Sequence, residues 1–313
     1  MKRATACATQ SGAYATLAAM SPAPASIGIV RAARRPDGWA PPGPPPSPLA
    51  GDPSLWPGPG EDLCALAGDW KILQRRDGHR WSLDDLATAW FAIETIAATG
   101  RPPARVADLG CGIGTVLLLL AWRFPAARGI GIEAQALSVG LARRSLARNG
   151  AAGRCEVRAG DLRDPAVVPE GAAFDLVTGT PPYVAPGAGA ASPRPQRTPA
   201  RLELHGGIED YCRAAARLLA PGGRFVACAS ETAPGRLAAA ADGAGLAIAR
   251  RQDVVPRAGK APLFTLIACR CADEPGTLRL EPPLVVRDRD GRRTRAALAM
   301  RAALGMPAPV ASP

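Results

Sequence analysis

Three glycines at alternating positions constrain this chain more than any other feature. Gly110, Gly112 and Gly114 follow the short apolar segment 106–109 and precede a leucine-rich segment of helical length. Because glycine has no Cβ, such a turn can reverse sharply and let the backbone approach a ligand. The first N–H groups of the following helix remain available as donors. The pattern predicts a strand, a ligand-binding turn and a helix that runs from Thr115 to Arg123.

Strand-like and helix-like segments alternate along the rest of the chain. Strands are expected at 106–109, 129–133, 155–159, 174–177, 224–229, 246–249 and 263–268. Helices are expected at 82–98, at 115–123, after the second strand as far as 149–150, and at 208–219. Ser82 is a suitable N-cap for the first helix, with Asp85 as its capping partner. This alternation is typical of an α/β fold in which helices cover both faces of a mostly parallel, doubly wound sheet. The carboxyl ends of the strands then share one edge, where ligands bind.

The two ends of the chain differ from its middle. Residues 1–60 contain only two acidic residues, Asp37 and Asp52, and a proline-rich run at 41–48. This composition is typical of an organellar transit peptide, or of a disordered tail, followed by a polyproline-like linker. We predict a disordered extension over 1–60, a helical cap of the site over 61–100, the main domain over 101–298 and a disordered tail over 299–313. A transit peptide would direct the protein to a plastid or mitochondrion; otherwise we expect a cytoplasmic protein.

Charge, cysteine content and hydropathy restrict the partners. The formal net charge is +11, which attracts polyanions and by itself favours a nucleic acid only weakly. The 8 cysteines form no C-x-x-C pair and there are only 2 histidines, so no metal site is expected. The longest aliphatic run, 116–122, is far shorter than the roughly 20 residues of a membrane span, so we expect no membrane-spanning segment.

The tetrapeptide Thr180-Pro181-Pro182-Tyr183 directly follows the fourth expected strand. Its two prolines stiffen the loop and remove competing N–H donors. Its tyrosine can stack on a base, which contributes roughly 1–3 kcal/mol. Since this loop and the glycine turn both follow strands of one sheet, they are expected to open into a single cleft.

The segment Asp108-Leu109-Gly110-Cys111-Gly112-Ile113-Gly114 resembles the signature of class I S-adenosylmethionine (SAM)-dependent methyltransferases. The dinucleotide fingerprint G-x-G-x-x-G is not met, because the third glycine comes too early. The resemblance implies a seven-stranded Rossmann-like sheet with the last strand antiparallel, and SAM as cofactor. It implies that Glu133 binds the ribose hydroxyls and that Asp161 contacts the adenine amino group. The cofactor-binding residues that it implies are Asp108, Gly110, Cys111, Gly112, Gly114, Glu133, Ala134, Asp161 and Leu162. Ser82 and Asp84 join this set because their segment, Gly78–Leu86, resembles one that helps to close the SAM site in such enzymes.

The tetrapeptide in turn resembles the [N/D/S]-P-P-[Y/F/W] motif of amino-group methyltransferases. The lone pair of an adenine N6 or a glutamine amide is delocalised, so acceptors for both N–H protons favour a more nucleophilic nitrogen. The resemblance implies that the Thr180 side chain and the Pro181 carbonyl are these acceptors, with Pro182 and Tyr183 completing the catalytic loop. Threonine replaces the usual asparagine and offers a hydroxyl, which is a shorter and less basic acceptor.

Outer segments are similar to bacterial tRNA(Val) adenine-37 N6-methyltransferases. They are Gln74 with Gly78–Leu86, then Arg201–His205, and Glu281–Thr294, which extend the resemblance over residues 68–298. This resemblance implies a tRNA or other RNA as substrate, contacted by Tyr183, Arg201 and Glu203. Departures from the pattern are Leu202 in place of histidine, and Arg287 and Arg293 in place of tyrosine.

Three alternatives remain open. A protein-glutamine methyltransferase would use the same loop, but would be expected to keep asparagine and to carry a helical recognition domain. A small-molecule methyltransferase would need no basic surface. A SAM-binding but inactive partner subunit is kept open by Thr180. We further expect Cys111 to be a packing residue rather than a nucleophile, and residues 185–200 to form a mobile substrate-binding lid.

Overall fold

A computed structural model describes residues 28–31, 35–167, 171, 173–184, 202–230 and 235–307. Its strands are β1 (Ile29–Arg31), β2 (Glu61–Ala67), β3 (Trp70–Arg75), β4 (Arg105–Leu109), β5 (Arg128–Glu133), β6 (Cys155–Ala159), β7 (Phe174–Gly179), β8 (Leu219–Ala229), β9 (Leu246–Val255), β10 (Phe264–Cys271), β11 (Arg279–Leu280) and β12 (Leu284–Val285). Its helices are α1 (Leu83–Ala97), α2 (Thr115–Arg123), α3 (Ala136–Arg148), α4 (Ile208–Leu218), α5 (Arg236–Asp242) and α6 (Arg295–Ala303). The expected transit peptide falls mainly on residues 1–27, and the expected lid on 185–200; both lie outside the described residues.

The main sheet has the central order β6-β5-β4-β7-β8-β10-β9, and two short strands, β11 and β12, pair with the outer edge of β9. All pairs are parallel except those that β10 makes with β8 and β9. The expected seven-stranded sheet with an antiparallel last strand is therefore confirmed. The two-residue strands β11 and β12 were not predicted, since segments this short have no periodicity to detect.

Two apolar clusters cover the two faces of this sheet. One joins α1, α2, α3 and α6 to the sheet, with Phe91, Leu117 and Leu118 fully buried. The other packs α4 and α5 on the opposite face. The sheet is thus doubly wound, as expected. None of the described helices is both long enough and apolar enough to cross a membrane.

The region 61–100 is only partly the helical cap that we expected. It begins with an antiparallel hairpin of β2 and β3, and β1 pairs parallel to β2. The hairpin docks on α3: the Leu73 N–H donates to Ser145 Oγ at 3.0 Å, and the Asn149 amide bonds both the N–H and the carbonyl of Lys71 at 3.0 and 2.7 Å. These polar side chains, on α3 and at its C-cap, satisfy an exposed strand edge, which the local sequence of the hairpin could not reveal.

The prolines led us to expect ordered structure only from about residue 61, but it begins earlier. Residues 35–60 pack along the domain: the Pro45 carbonyl accepts from Trp70 Nε1 at 3.4 Å, and the Ala50 carbonyl accepts from Arg148 at 2.7 Å. Gly43 has φ of 82° and lies directly against the Trp122 indole. A proline-rich segment has little conformational entropy to lose, so a few such contacts are enough to hold it.

The expected disordered tail from residue 299 is also wrong in its first part. Helix α6 continues to Ala303, and Met300, Leu304 and Met306 are buried against the first cluster. These apolar side chains give this short helix a partner in the core. Residues 308–313 lie outside the described residues.

The packed proline segment leads to the first testable prediction. In Gly43→Ala the added methyl overlaps the Trp122 ring and φ is strained, so we expect the free energy of unfolding to fall by about 2 kcal/mol in urea titration. Gly51→Ala is the matched control, because a Cβ there meets nothing within 4 Å and the φ of Gly51 is not positive. Equal stability of the two variants would mean that the segment does not pack on Trp122.

Candidate active site

The glycine turn between β4 and α2 depends on all three glycines. Gly110, Gly112 and Gly114 have φ of 58°, 55° and 85°, which other residues rarely adopt. A Cβ at Gly110 would overlap the Tyr211 hydroxyl, whereas one at Gly112 would meet nothing within 4 Å. The turn therefore packs against α4 on one side and leaves open space on the other, as a ligand-binding turn requires.

That open space is a cavity of about 390 Å³ at the carboxyl edge of the sheet. It brings together the glycine turn, the ends of β5 and β6, the T-P-P-Y loop and the start of α1. Its lining residues are His79, Ser82, Asp84, Asp85, Gly110, Cys111, Gly112, Ile113, Thr115, Ile132, Glu133, Ala134, Gln135, Ser138, Gly160, Asp161, Leu162, Thr180, Pro181, Pro182, Tyr183, Val184, His205, Gly206 and Tyr211. The two sequence motifs thus open into one cleft, as the sequence predicted.

Asp108 and Gly114 are members of the predicted cofactor set that do not line the cavity. Asp108 is buried behind the turn, where its carboxylate accepts from Thr178 Oγ1 at 2.8 Å and from the Leu117 N–H at 3.2 Å. Gly114 is the N-cap of α2. Asp108 therefore joins β4, β7 and α2 and holds the turn in place, instead of reaching the cavity.

Burial raises the pKa of Asp108 to about 7, although its two hydrogen bonds oppose the shift. In the folded protein this carboxyl keeps its proton up to about pH 7, whereas in the unfolded chain it releases the proton near pH 4. The stabilisation from this group is therefore complete below about pH 4 and is lost as the pH rises through 7. Between pH 5 and pH 8 we expect a loss of about 2–3 kcal/mol in the free energy of unfolding. Asp108→Asn should flatten this part of the profile, measured by urea unfolding at several pH values; an unchanged slope would contradict the assignment.

Glu133 ends β5 and is nearly buried. One carboxylate oxygen accepts from the Gly112 N–H at 2.9 Å and the other from the Gln135 N–H at 2.8 Å. Burial is the largest influence and raises the pKa of Glu133. Each oxygen keeps a further lone pair, so the side chain can accept from a vicinal diol in the cavity while it fixes the glycine turn.

Asp161 follows β6 on the other side of the cavity. Its carboxylate is bound by Arg163 at 2.6 and 2.9 Å and lies 3.9 Å from His205 Nδ1. The hydrogen bond from Arg163 is the main reason that the pKa of Asp161 is lowered. The group is thus a stable anion at neutral pH and can accept from an amino group.

The start of α1 forms a third wall. The Asp85 carboxylate accepts from the Ser82 N–H at 2.8 Å, as the expected capping pair requires, and the Ser82 hydroxyl donates to Asp84. Burial, and then the charge of Asp84, raise the pKa of Asp85 well above its ordinary range. The wall therefore presents a fixed polar surface to the cavity.

In the T-P-P-Y loop, Tyr183 is held from two directions. Its ring stacks on Phe264 of β10, with centroids 6.3 Å apart and planes 18° apart, and its hydroxyl lies 2.9 Å from Cys228 Sγ. Thr180 and Pro181 line the same cavity. Among the described residues, no group donates to the Thr180 hydroxyl or the Pro181 carbonyl.

Of the predicted substrate residues that the structure describes, Tyr183 lines the cavity and Glu203 does not. Arg201 lies outside the described residues. Glu203 binds the Arg236 guanidinium through both oxygens, at 2.9 and 3.0 Å, and Glu209 binds the same group. This ion-pair cluster joins the segment before α4 to α5 and gives Glu203 a structural role. The local sequence around Glu203 could not reveal this, because its partner Arg236 is distant in the chain.

Several lining residues were not assigned to the site from sequence. Gln135, Ser138 and Tyr211 lie in segments without a ligand motif, and His79 lies in the segment Gly78–Leu86 but was not itself assigned. Tyr211 belongs to the apolar stripe of α4 and contacts Gly110. The one sequence signal for it is a side chain with a hydroxyl within a core stripe. Cys111 packs against Gly131, and burial raises the pKa of its thiol well above the ordinary value, so it is a packing residue as expected.

The cavity fits SAM in the chemistry of its donors and acceptors. The unfilled space beside Gly112 leaves backbone accessible for the methionine part. Glu133 can accept from the two ribose hydroxyls and Asp161 from the adenine amino group. These polar groups lie among apolar neighbours such as Ile113, as is usual in cofactor sites.

Comparisons with known proteins agree with this geometry. A family model described as a methyltransferase domain matches residues 106–185. The chain is 34% identical over 130 residues to a tRNA1(Val) (adenine(37)-N6)-methyltransferase of Porphyromonas gingivalis, a match that covers 41% of this chain and 50% of that protein. It is 35% identical over 167 residues to a release factor glutamine methyltransferase of Cereibacter sphaeroides, which covers 51% and 58% of the two chains. The chain thus spans about half the length of these relatives.

A longer match links the chain to a tRNA1(Val) (adenine(37)-N6)-methyltransferase of Enterobacter sp., with 30% identity over 208 residues, 63% of this chain and 83% of that protein. Among solved structures, a predicted O-methyltransferase from Agrobacterium tumefaciens is 22% identical, with a TM-score of 0.53 over 71% of this chain and 97% of that chain, which shows a shared fold. The glycine turn, the doubly wound sheet and this long match lead to one conclusion. The chain belongs to the class I SAM-dependent methyltransferase family.

Proposed function

We propose that the protein transfers the methyl group of SAM to an amino nitrogen, and that this nitrogen is adenine N6 of a tRNA or another RNA. The observation that carries the proposal is that Thr180-Pro181-Pro182-Tyr183 lines the same cavity as the glycine turn. The tRNA methyltransferases among the relatives support the choice of RNA. The basic net charge of +11 supports it as well.

The loop supplies two acceptors for an exocyclic amino group. The Thr180 hydroxyl and the Pro181 carbonyl can each take one N–H proton, which leaves the nitrogen lone pair directed away from them. A nitrogen held in this way is more tetrahedral and more nucleophilic than a free conjugated amine. Because the prolines fix the loop, the rate gain comes mainly from positioning.

Tyr183 gives the loop a flat surface for a planar substrate. Its ring is already fixed by Phe264 and Cys228, so little conformational entropy is lost when a base stacks on it. Such stacking contributes roughly 1–3 kcal/mol. A planar base is therefore a better partner for this loop than a flexible glutamine side chain.

When bound, SAM supplies an electrophilic methyl group. The chain's own residues need only hold the acceptor nitrogen in line with it, since the methylated nitrogen carries a positive charge and loses its proton afterwards. No general base is required before the transfer. Glu133 and the glycine turn hold the cofactor side, and the T-P-P-Y loop holds the substrate side.

The test is methyl transfer from labelled SAM to total RNA, followed by nucleoside analysis. Label in N6-methyladenosine supports the proposal. Label only in protein would favour a glutamine substrate, as in the release factor methyltransferases, and label only in small molecules would favour a metabolite. SAM binding without any transfer would favour an inactive partner subunit.

A further inference from the structure

A basic surface lies beside the T-P-P-Y loop at the same edge of the sheet. It is formed by the loop between β9 and β10 and by the segment between β12 and the start of α6. We call this surface the basic edge; its positive side chains are Arg257, Lys260, Arg287, Arg289, Arg292, Arg293 and Arg295. Only two acidic residues, Asp288 and Asp290, lie in the same segments, so the local charge is strongly positive.

The strand ladder places this surface next to the substrate side of the cavity. Phe264 of β10, on which Tyr183 stacks, pairs with Val254 of β9, and Val254 pairs with Leu284 of β12. Neighbouring strands lie about 4.8 Å apart, so Leu284 is roughly 10 Å from Phe264. Arg287 comes three residues after Leu284, beyond the carboxyl end of β12, and the basic edge therefore begins a short distance from the stacked rings.

The two segments form one continuous surface. The Ala258 N–H donates to the Arg287 carbonyl at 2.8 Å, and the Arg257 guanidinium lies over Gly291. Arg287 and Arg293 face each other in an antiparallel bridge, and Arg287 also donates to the Gly291 carbonyl at 2.6 Å. The backbone therefore fixes the spacing of these positive groups.

Within the part of the chain that the structure describes, these charges are nearly without counter-ions. Of the seven, Arg292 alone has a carboxylate within ion-pair distance, Asp290 at 3.6 Å, and both side chains are largely exposed. Burial, and then the neighbouring Arg287 guanidinium, lower the pKa of Arg293. Elsewhere the chain pairs arginines closely, as for Arg236 with Glu203 and Glu209. Like charges held together without partners raise the free energy of the fold, which a bound polyanion would offset.

We propose that the basic edge binds the phosphate backbone of the RNA whose adenine enters the cavity. This inference rests on the proposed function and names a partner surface for it. The antiparallel bridge brings the Arg287 and Arg293 side chains to neighbouring positions on this surface. Phosphate contacts position a nucleic acid without reading its bases, so the surface would hold the RNA while Tyr183 receives the base.

The test compares two charge-matched double variants of the full chain by fluorescence anisotropy with a labelled tRNA transcript. Arg289→Gln with Arg295→Gln removes two exposed charges from the basic edge. Arg105→Gln with Arg128→Gln removes two from the amino ends of β4 and β5, where these residues are paired in register at the opposite edge. We expect the first variant to raise the Kd for tRNA about tenfold and to reduce the salt slope of log Kd by about 1.4 to 1.8, and the control to change neither.

The outcomes separate this inference from the proposed function. Equal weakening in both double variants, no weakening in either, or no binding of tRNA by the wild-type chain would overturn the role of the basic edge. Selective weakening together with absence of N6-methyladenosine would support the basic edge and refute the proposed reaction. Methylation of adenine with unchanged binding in the first variant would support the reaction and refute the surface.

Discussion

Replacing Thr180 by valine is expected to lower kcat about 100-fold while the Kd for SAM stays unchanged. Valine keeps the shape of threonine and removes the hydroxyl of a residue that lines the cavity. The substrate amino group then loses one of two acceptors, and a hydrogen bond to a group that gains positive charge in the transition state is worth about 1.5–3 kcal/mol. Single-turnover transfer to RNA measures the rate, and calorimetry measures SAM affinity.

Two further substitutions at this position serve as controls. Thr180→Ser keeps a hydroxyl and should retain most of the activity. Thr180→Asn restores the acceptor usual in the motif and should raise kcat above that of the natural chain, because an amide oxygen is longer-reaching and more basic. A valine variant with full activity would remove Thr180 from the reaction.

The second large effect is expected for Glu133→Gln, with a loss of about 100-fold in SAM affinity and reduced stability. The glutamine NH₂ would face one of the N–H groups of Gly112 and Gln135, so one buried donor loses its acceptor, at a cost of about 1–3 kcal/mol. One acceptor for the ribose hydroxyls is lost at the same time. Burial raises the pKa of Glu133, so this side chain becomes protonated at a higher pH than an ordinary glutamate does. The natural protein should therefore begin to lose SAM affinity at that higher pH when it is acidified.

Glu156→Gln is the matched control for this change. Glu156 lies on the adjacent strand β6, is exposed and pairs with Arg158 at 2.8 Å. The same loss of one charge there should leave SAM affinity and stability nearly unchanged. Calorimetry with SAM and urea unfolding of both variants separate the two roles of Glu133, and normal SAM affinity in Glu133→Gln would refute its role in the cofactor site.

The fold and the centre of the site could be predicted because their signals are local. The glycine turn needs residues that tolerate positive φ, and Gly110, Gly112 and Gly114 meet this need whatever surrounds them. The strand β6 and the helix α2 have the predicted bounds, since β6 alternates apolar and charged residues and α2 is one apolar segment. The start of β8 was misplaced, because its pairing with β7 shifts register and carries the strand back through Pro221-Gly222-Gly223 to Leu219.

The roles of individual polar residues were less predictable. Asp108 belongs to the expected signature, yet it braces the turn through Thr178 and Leu117 instead of lining the cavity. Glu203 is bound to Arg236, and Tyr211 reaches the glycine turn from the core stripe of α4. Such assignments depend on partners that are distant in sequence, and no local pattern specifies them.

The residue pattern alone was enough to predict the order of the seven central strands and of helices α1 to α4, and the two loops that meet at the carboxyl edge. Backbone conformation and apolar periodicity act over a few neighbouring residues, so these features leave a local signal. Three features became visible only in the folded chain: the proline segment packs on Trp122, Glu133 fixes the glycine turn, and Arg287 and Arg293 share one basic surface. Each of these depends on contacts between elements far apart in the chain, and their free energy exists only once the sheet has brought those elements together.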